Sequence, residues 1–112
     1  MSAPERGDLV WVDFDPQSGR EQAGRRSALV LTPARYNSVV GLLIACPVTK
    51  HAKGYPFESL LPAELPVHGA VLADHVRSLD WRARRAEFIC KAPTEVVDHV
   101  TAKVQALIGD EG

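Results

Sequence analysis

At 112 residues the chain has room for one small domain, taken as residues 1–112, and its 46% hydrophobic and 24% charged residues exclude a disordered or fibrous polymer. No run approaches the ~18 apolar residues that cross a bilayer, and Met1-Ser2-Ala3-Pro4-Glu5-Arg6 lacks the apolar stretch of a secretion signal, so a soluble, cytoplasmic protein with no membrane partner is expected. The formal net charge of −1 argues against bulk coating of nucleic acid, yet residues 16–56 carry +5 and 77–85 carry +3, with −3 on each remaining segment, a pattern that suits a localised anionic ligand.

In chain order, Asp8–Asp15 has bulky, β-favouring residues and reads as a first strand. Pro16, Gly19 and Gly24 punctuate a polar loop over 16–25, longer than most connections in a small domain, and long loops are often functional. Ser27–Thr32 contains the continuous apolar run Ala-Leu-Val-Leu, which suits a strand buried on both faces. Pro33 suits the first turn of a short helix through Val39, and Gly41 ends it. Leu42–Val48 is a third strand, followed by the polar loop Thr49-Lys50-His51-Ala52-Lys53-Gly54.

Phe57–Leu61, Gly69–Ala73, Val76–Leu79 and Ala86–Cys90 are further short strands between Pro, Gly and charged clusters. The period then changes. Val97, Val100, Val104, Leu107 and Ile108 recur at helical spacing, with Pro93 at the opening and Gly109 at the stop. The pattern predicts a mainly β fold with α, a small antiparallel barrel or curled sheet closed by one C-terminal helix. A chain this short buries only roughly 60–65% of its unfolded surface, which favours a second copy.

Cys46 and Cys90 sit in apolar runs without CxxC or Cys/His spacing, so both read as small buried hydrophobes. His51, His68, His75 and His99 form no ligand pairs, and neither a metal site nor a cofactor is expected. No Gly-rich phosphate loop, HExxH or GxSxG is present. Polar chemistry concentrates in Arg20-Glu21-Gln22-Ala23-Gly24-Arg25-Arg26 and in the segment that begins at Thr49. Glu21 is an isolated acid among bases, and Arg26 opens a buried strand that could aim its guanidinium, a planar fork suited to two phosphate oxygens. Tyr55, Phe57 and Phe14 flank these loops, as rings that stack single-stranded RNA do, although core packing is the ordinary fate of Phe14 and Phe57.

Gly7-Asp8-Leu9-Val10-Trp11-Val12-Asp13-Phe14-Asp15-Pro16 and Gly19-Arg20-Glu21-Gln22-Ala23-Gly24-Arg25-Arg26 resemble the start of MazF/PemK toxins. The resemblance continues, in order, through Cys46-Pro47-Val48-Thr49, Lys53-Gly54-Tyr55-Pro56-Phe57-Glu58 and Ala73–Arg84. It implies an SH3-like β-barrel of the CcdB/MazF type working as a homodimer. It also implies a sequence-specific, metal-independent endoribonuclease that cuts single-stranded RNA by 2′-hydroxyl attack, leaving a 2′,3′-cyclic phosphate and a 5′-hydroxyl. The catalytic residues it implies are Arg26, Thr49 and Glu21. Substrate contacts are expected from Phe14, Gln22, Arg25, Lys50, Lys53, Tyr55, Asp74, His75 and Arg77.

Ser27 follows Arg26 where the family usually has proline, and His51 and His75 stand where relatives often carry amides. A cognate MazE-like antitoxin is implied, laying an acidic extended tail across a basic groove expected near 16–56 and 77–85. Two alternatives share the fold class: a CcdB-like gyrase poison that acts by partner binding, and a noncatalytic SH3-like RNA-binding module.

Overall fold

The computed structural model describes residues 2–14 and 24–109. Seven strands run in order: β1 Asp8–Asp13, β2 Arg25–Val30, β3 Leu42–Thr49, β4 Glu58–Leu60, β5 Ala70–Leu72, β6 Arg77–Asp80 and β7 Glu87–Lys91. Helix α1 spans Ala34–Val40 and helix α2 spans Thr94–Ile108. Each expected element is present within a residue or two. The one element absent from the sequence reading is a single 3-10 turn, Ala73–His75, where the fifth strand was expected to end.

β1, β2 and β3 form the antiparallel centre, in register Leu9↔Leu29↔Cys46 and Val10↔Ala28↔Pro47. Because side chains alternate across a strand, this register sorts the apolar residues into two buried groups. Leu9, Leu29, Cys46 and Val48 pack on one face beneath α2, which contributes Val96, Val97, Val100 and Val104. Val10, Val12, Ala28, Val30 and Ala45 pack on the other face, which curls over Leu43, Leu79 and Trp81. The run Ser27–Val30 is therefore buried throughout. The helical stripe was expected to continue into Leu107 and Ile108, but both are exposed, and Val96 takes the extra inward place.

β3 is long enough to serve two partners along one edge. Leu42–Ala45 pair with β6, and Val48 and Thr49 pair with Val71 and Ala70 of β5. The full order is β4-β5-β3-β2-β1-β7, with β6 on β3. Among the described residues the ends of this ladder do not join, so the barrel-class sheet is curled and open. Pro33 caps α1, and Gly41 ends it at φ 84°, a conformation that a residue with a Cβ rarely adopts.

Candidate active site

The β2–β3 register, extended past Ala28↔Pro47, sets Ser27 beside Val48 and Arg26 beside Thr49. Arg26 and Thr49 accordingly line one groove of about 820 Å³, together with Trp11, Lys50, His51, Pro66, Val67 and His68. The Arg26 side chain is exposed, and the adjoining Ser27 and Val48 are buried, so the guanidinium stands on a rigid base. Thr49 is half-buried, and its Oγ1 accepts the His51 N–H at 3.1 Å. The hydroxyl proton is thereby left to donate outward, as a nonbridging phosphate oxygen would require.

A second groove of about 250 Å³ begins at the same two residues, Thr49 and His51. Its walls are Lys53, Tyr55, Phe57, Glu58, Leu72, Asp74 and His75. The structure thus brings Arg26, Thr49 and Lys50 together on the first groove, and Lys53, Tyr55, Asp74 and His75 on the second. His75 lies on the second groove, while His51 lies on both. Glu21 and Gln22 fall outside the described residues.

The expected basic patch over 77–85 does not line the Arg26 groove. Its arginines are engaged locally. Arg85 donates to Asp13 through Nε at 2.8 Å, Arg84 donates to the Asp13 and Phe14 carbonyls, and the Arg82 guanidinium lies 4.3 Å from the Trp81 ring centroid. Arg77 stands 5.3 Å from the centroid of the Phe14 ring. Phe14, expected as a stacking surface, is only 6% exposed and belongs to the core. Arg25, expected to contact substrate, points along the groove wall but donates to Asp13 and to Glu87, each at 3.0 Å. Arg85 beside it, and then Arg25, hold the Asp13 carboxyl below the usual carboxylate range. Asp13 in turn raises the Arg85 guanidinium. These charges neutralise one another, and the cation left to face the groove from β2 is Arg26.

Sequence reasoning missed Trp11. Strand alternation gives it the same parity as core Leu9, yet it is 40% exposed on the Arg26 groove. A visible signal was its pairing with Ser27, too small to cover an indole, but that pairing needs the register to be known. His68, which also lines this groove, lies in a segment without regular structure. Cys46 is fully buried, as expected, which pushes its thiol up to about 12; Cys90, also expected to be buried, is only partly so, and its thiol is raised as well. Among the described residues no three His, Cys, Asp or Glu side chains cluster as metal ligands would.

A guanidinium, a hydroxyl and imidazoles around one groove of a curled antiparallel sheet suit a phosphate-bearing polymer, and this fold and site define a small β-sheet protein that acts on nucleic acid. Residues 5–108 match the model of the PemK-like, MazF-like toxins of type II toxin–antitoxin systems. The endoribonuclease toxin MazF of Escherichia coli K12 is 46% identical over 106 residues, which is 95% of each chain. The crystal structure of MazF from Deinococcus radiodurans superposes with a TM-score of 0.90 at 59% identity, covering 98% of this chain and 100% of that one. A MazE–MazF structure from the same organism gives 0.87 at 55% identity, over 97% and 98%. The chain belongs to the PemK/MazF family and is an endoribonuclease toxin of the type II toxin–antitoxin class.

Proposed function

We propose that the chain cuts single-stranded RNA at a short sequence, without a metal, by internal transesterification. The observation that carries this reading is the placement of Arg26 and Thr49 on adjacent strands over one groove. The 2′-oxygen forms a bond to the neighbouring phosphorus, and the bond from phosphorus to the 5′-oxygen breaks. The products are a 2′,3′-cyclic phosphate and a 5′-hydroxyl. Arg26 stabilises charge developing on the phosphorane, as donors do in an oxyanion hole, and Thr49 donates its hydroxyl to a nonbridging oxygen. Arginine keeps its proton in proteins, so the 2′-hydroxyl proton goes to the Glu21 carboxylate. The departing 5′-oxygen takes a proton from His51, which follows Thr49 into the groove.

Substrate contacts along the chain's path fall to Lys50, Lys53, Tyr55, Asp74 and His75, with Gln22 completing the set. Primer extension on one long RNA, in the presence of chelator, tests the whole reading. The wild type should make discrete cuts with 5′-hydroxyl ends, and Arg26→Ala should make none while remaining folded. Full activity in Arg26→Ala would remove the arginine from catalysis, and RNA left intact by the wild type would favour a binding module.

Membership of the family supports a setting in which the protein is cytoplasmic and is held in check by a cognate antitoxin whose acidic extended tail lies in the groove beside Arg26 and Lys50. A second copy of the chain completes the working unit, for which Tyr36, Val39 and Val40 on α1 offer an exposed apolar face. Among the described residues no helix is long and apolar enough to cross a membrane.

A further inference from the structure

The second groove is shaped by a loop with two successive backbone N–H groups tied to one side chain. The Glu58 carboxylate accepts the Lys53 N–H at 2.9 Å and the Gly54 N–H at 2.8 Å, both on Oε1, with Oε2 3.2 Å from the same Lys53 nitrogen. The Glu58 N–H donates back to the Tyr55 carbonyl at 3.0 Å, closing a turn with Pro56 at its second position. Gly54 takes φ 80°, which lets successive N–H groups face the carboxylate. Below the turn, Lys103 of α2 donates through Nζ to the Pro56 and Glu58 carbonyls, and Ala73 donates its N–H to the Phe57 carbonyl at 3.0 Å. Phe57 packs on the core beneath α2.

This arrangement fixes the main chain and leaves two side chains outside it. Tyr55 is 60% exposed, and Lys53 is exposed beside it. Across the groove stand Asp74 and His75, both exposed, from the 3-10 turn. The groove opens at Thr49 and His51, so a strand held at the Arg26 groove would lead its next base into this space. A ring that must stack on a base gives discrimination only if its own position is settled before the base arrives. An exposed tyrosine on an untied glycine-containing loop would lack that order. An anionic acceptor for two N–H groups supplies it, and such charge-assisted bonds are the stronger kind.

We infer that Glu58 is a positioning residue for base choice: with its carboxylate spent on the Lys53 and Gly54 N–H groups, it holds the Lys53–Tyr55 loop so that Tyr55 and His75 read one base beside the cut. This rests on the RNA-cutting reading above and adds to it the device that sets one part of the recognised word. Glu58→Gln keeps an oxygen for the two N–H groups but places an NH2 near the Lys53 nitrogen. Glu58→Ala keeps neither acceptor.

The test is cut-site mapping on a pool of randomised single-stranded RNA, with wild type, Glu58→Ala, Glu58→Gln and Lys103→Met compared at matched extents of cleavage. The wild type should give a sharp word. Glu58→Ala should lose about tenfold in discrimination at one or two adjacent positions on a single side of the cut, the scale of one base stack. The other positions should stay sharp and kcat on a single oligonucleotide should change less than about twofold, the loss falling in KM. Glu58→Gln should recover most of the lost preference, and Lys103→Met should reproduce a weaker form of it. An unchanged word in Glu58→Ala, or equal blurring at every position with a lower kcat, would overturn the positioning role while leaving the nuclease intact. A wild type that cuts nothing in the pool would defeat the nuclease reading and this inference with it.

Discussion

Gly69 passes so close beneath Thr49 that a Cβ built on it would stand 1.9 Å from the Thr49 carbonyl oxygen. No rotamer change relieves that clash, because the obstructing atoms are backbone. Gly69 also holds φ 119°, outside the range of residues with a Cβ. The strand pairing explains the crowding, since Thr49 pairs with Ala70, the next residue along.

Gly69→Ala is therefore expected to displace Thr49 and weaken the β3–β5 pairing together. The loss of stability should be roughly 2–4 kcal/mol, and RNA cleavage should fall by about a hundredfold or more, because small displacements of a catalytic group cost that much. Urea unfolding and single-turnover cleavage, measured below the unfolding transition, separate the two effects. Cleavage unchanged in folded Gly69→Ala protein would show that Thr49 tolerates the shift.

Much of the architecture was legible because period and punctuation agreed. Pro33 with Gly41 bracketed α1, Pro93 with Gly109 bracketed α2, and the unbroken apolar run after Ser27 marked a strand covered on both faces. The arginines were not legible to the same degree. Asp13 lies 12 positions from Arg25 and 72 from Arg85, and Glu87 lies 62 from Arg25, so no local pattern could show that these four charges cancel. Trp11 failed for a related reason: its parity matches Leu9, and only the register that pairs it with the small Ser27 shows it uncovered. Arg26 and Thr49 were found through the family resemblance, and the register then gave the physical reason for their proximity.

Acid should weaken the fold through Asp13. Its folded carboxyl lies below the usual carboxylate range because of Arg85 and then Arg25, so it favours the folded state at pH above the unfolded value. That contribution should be present above about pH 4 and be lost as pH falls through the lowered folded value. Asp13→Asn removes the group. Its Tm should lie below that of the wild type at neutral pH by an amount that stays constant to about pH 5 and shrinks in more acidic buffer. A gap independent of pH down to strong acid would mean the carboxylate's charge contributes nothing.

The fully buried Asn37 makes a different prediction. Its Nδ2 donates to the Pro4 and Thr32 carbonyls at 2.8 and 2.9 Å, and its Oδ1 accepts from the Thr32 hydroxyl at 2.7 Å. Thr32 Oγ1 in turn accepts the Ile44 N–H at 3.0 Å, so one amide joins the N-terminal segment, α1 and β3. Asn37→Ala strands these groups and should cost about 2–4 kcal/mol. Asn37→Asp should cost more, because a carboxylate has no proton for either carbonyl. Denaturation midpoints of the three proteins at equal slope decide the order, and Asn37→Asp as stable as wild type would contradict the assigned donors.

Trp11 and Trp81 give the groove an internal gauge. Trp11 is 40% exposed on the Arg26 groove, while Trp81 is 2% exposed and donates through Nε1 to the Asn37 carbonyl at 2.8 Å. Only the first indole can meet RNA. In an Arg26→Ala background, where cutting does not deplete the ligand, single-stranded RNA should quench part of the tryptophan emission and leave the buried part unchanged. Adding Trp11→Ala should abolish the quench and, with the loss of one stacked base, weaken binding about tenfold as read by filter retention. Trp11→Phe should restore most of the affinity without the signal, because a smaller ring still stacks. Binding should also weaken with salt in proportion to the few cations that face the groove, a shallow dependence for a protein in which Arg25 and Arg85 are already paired. If Trp11→Ala bound RNA as tightly as its parent, the groove beside Arg26 would not be where the strand lies.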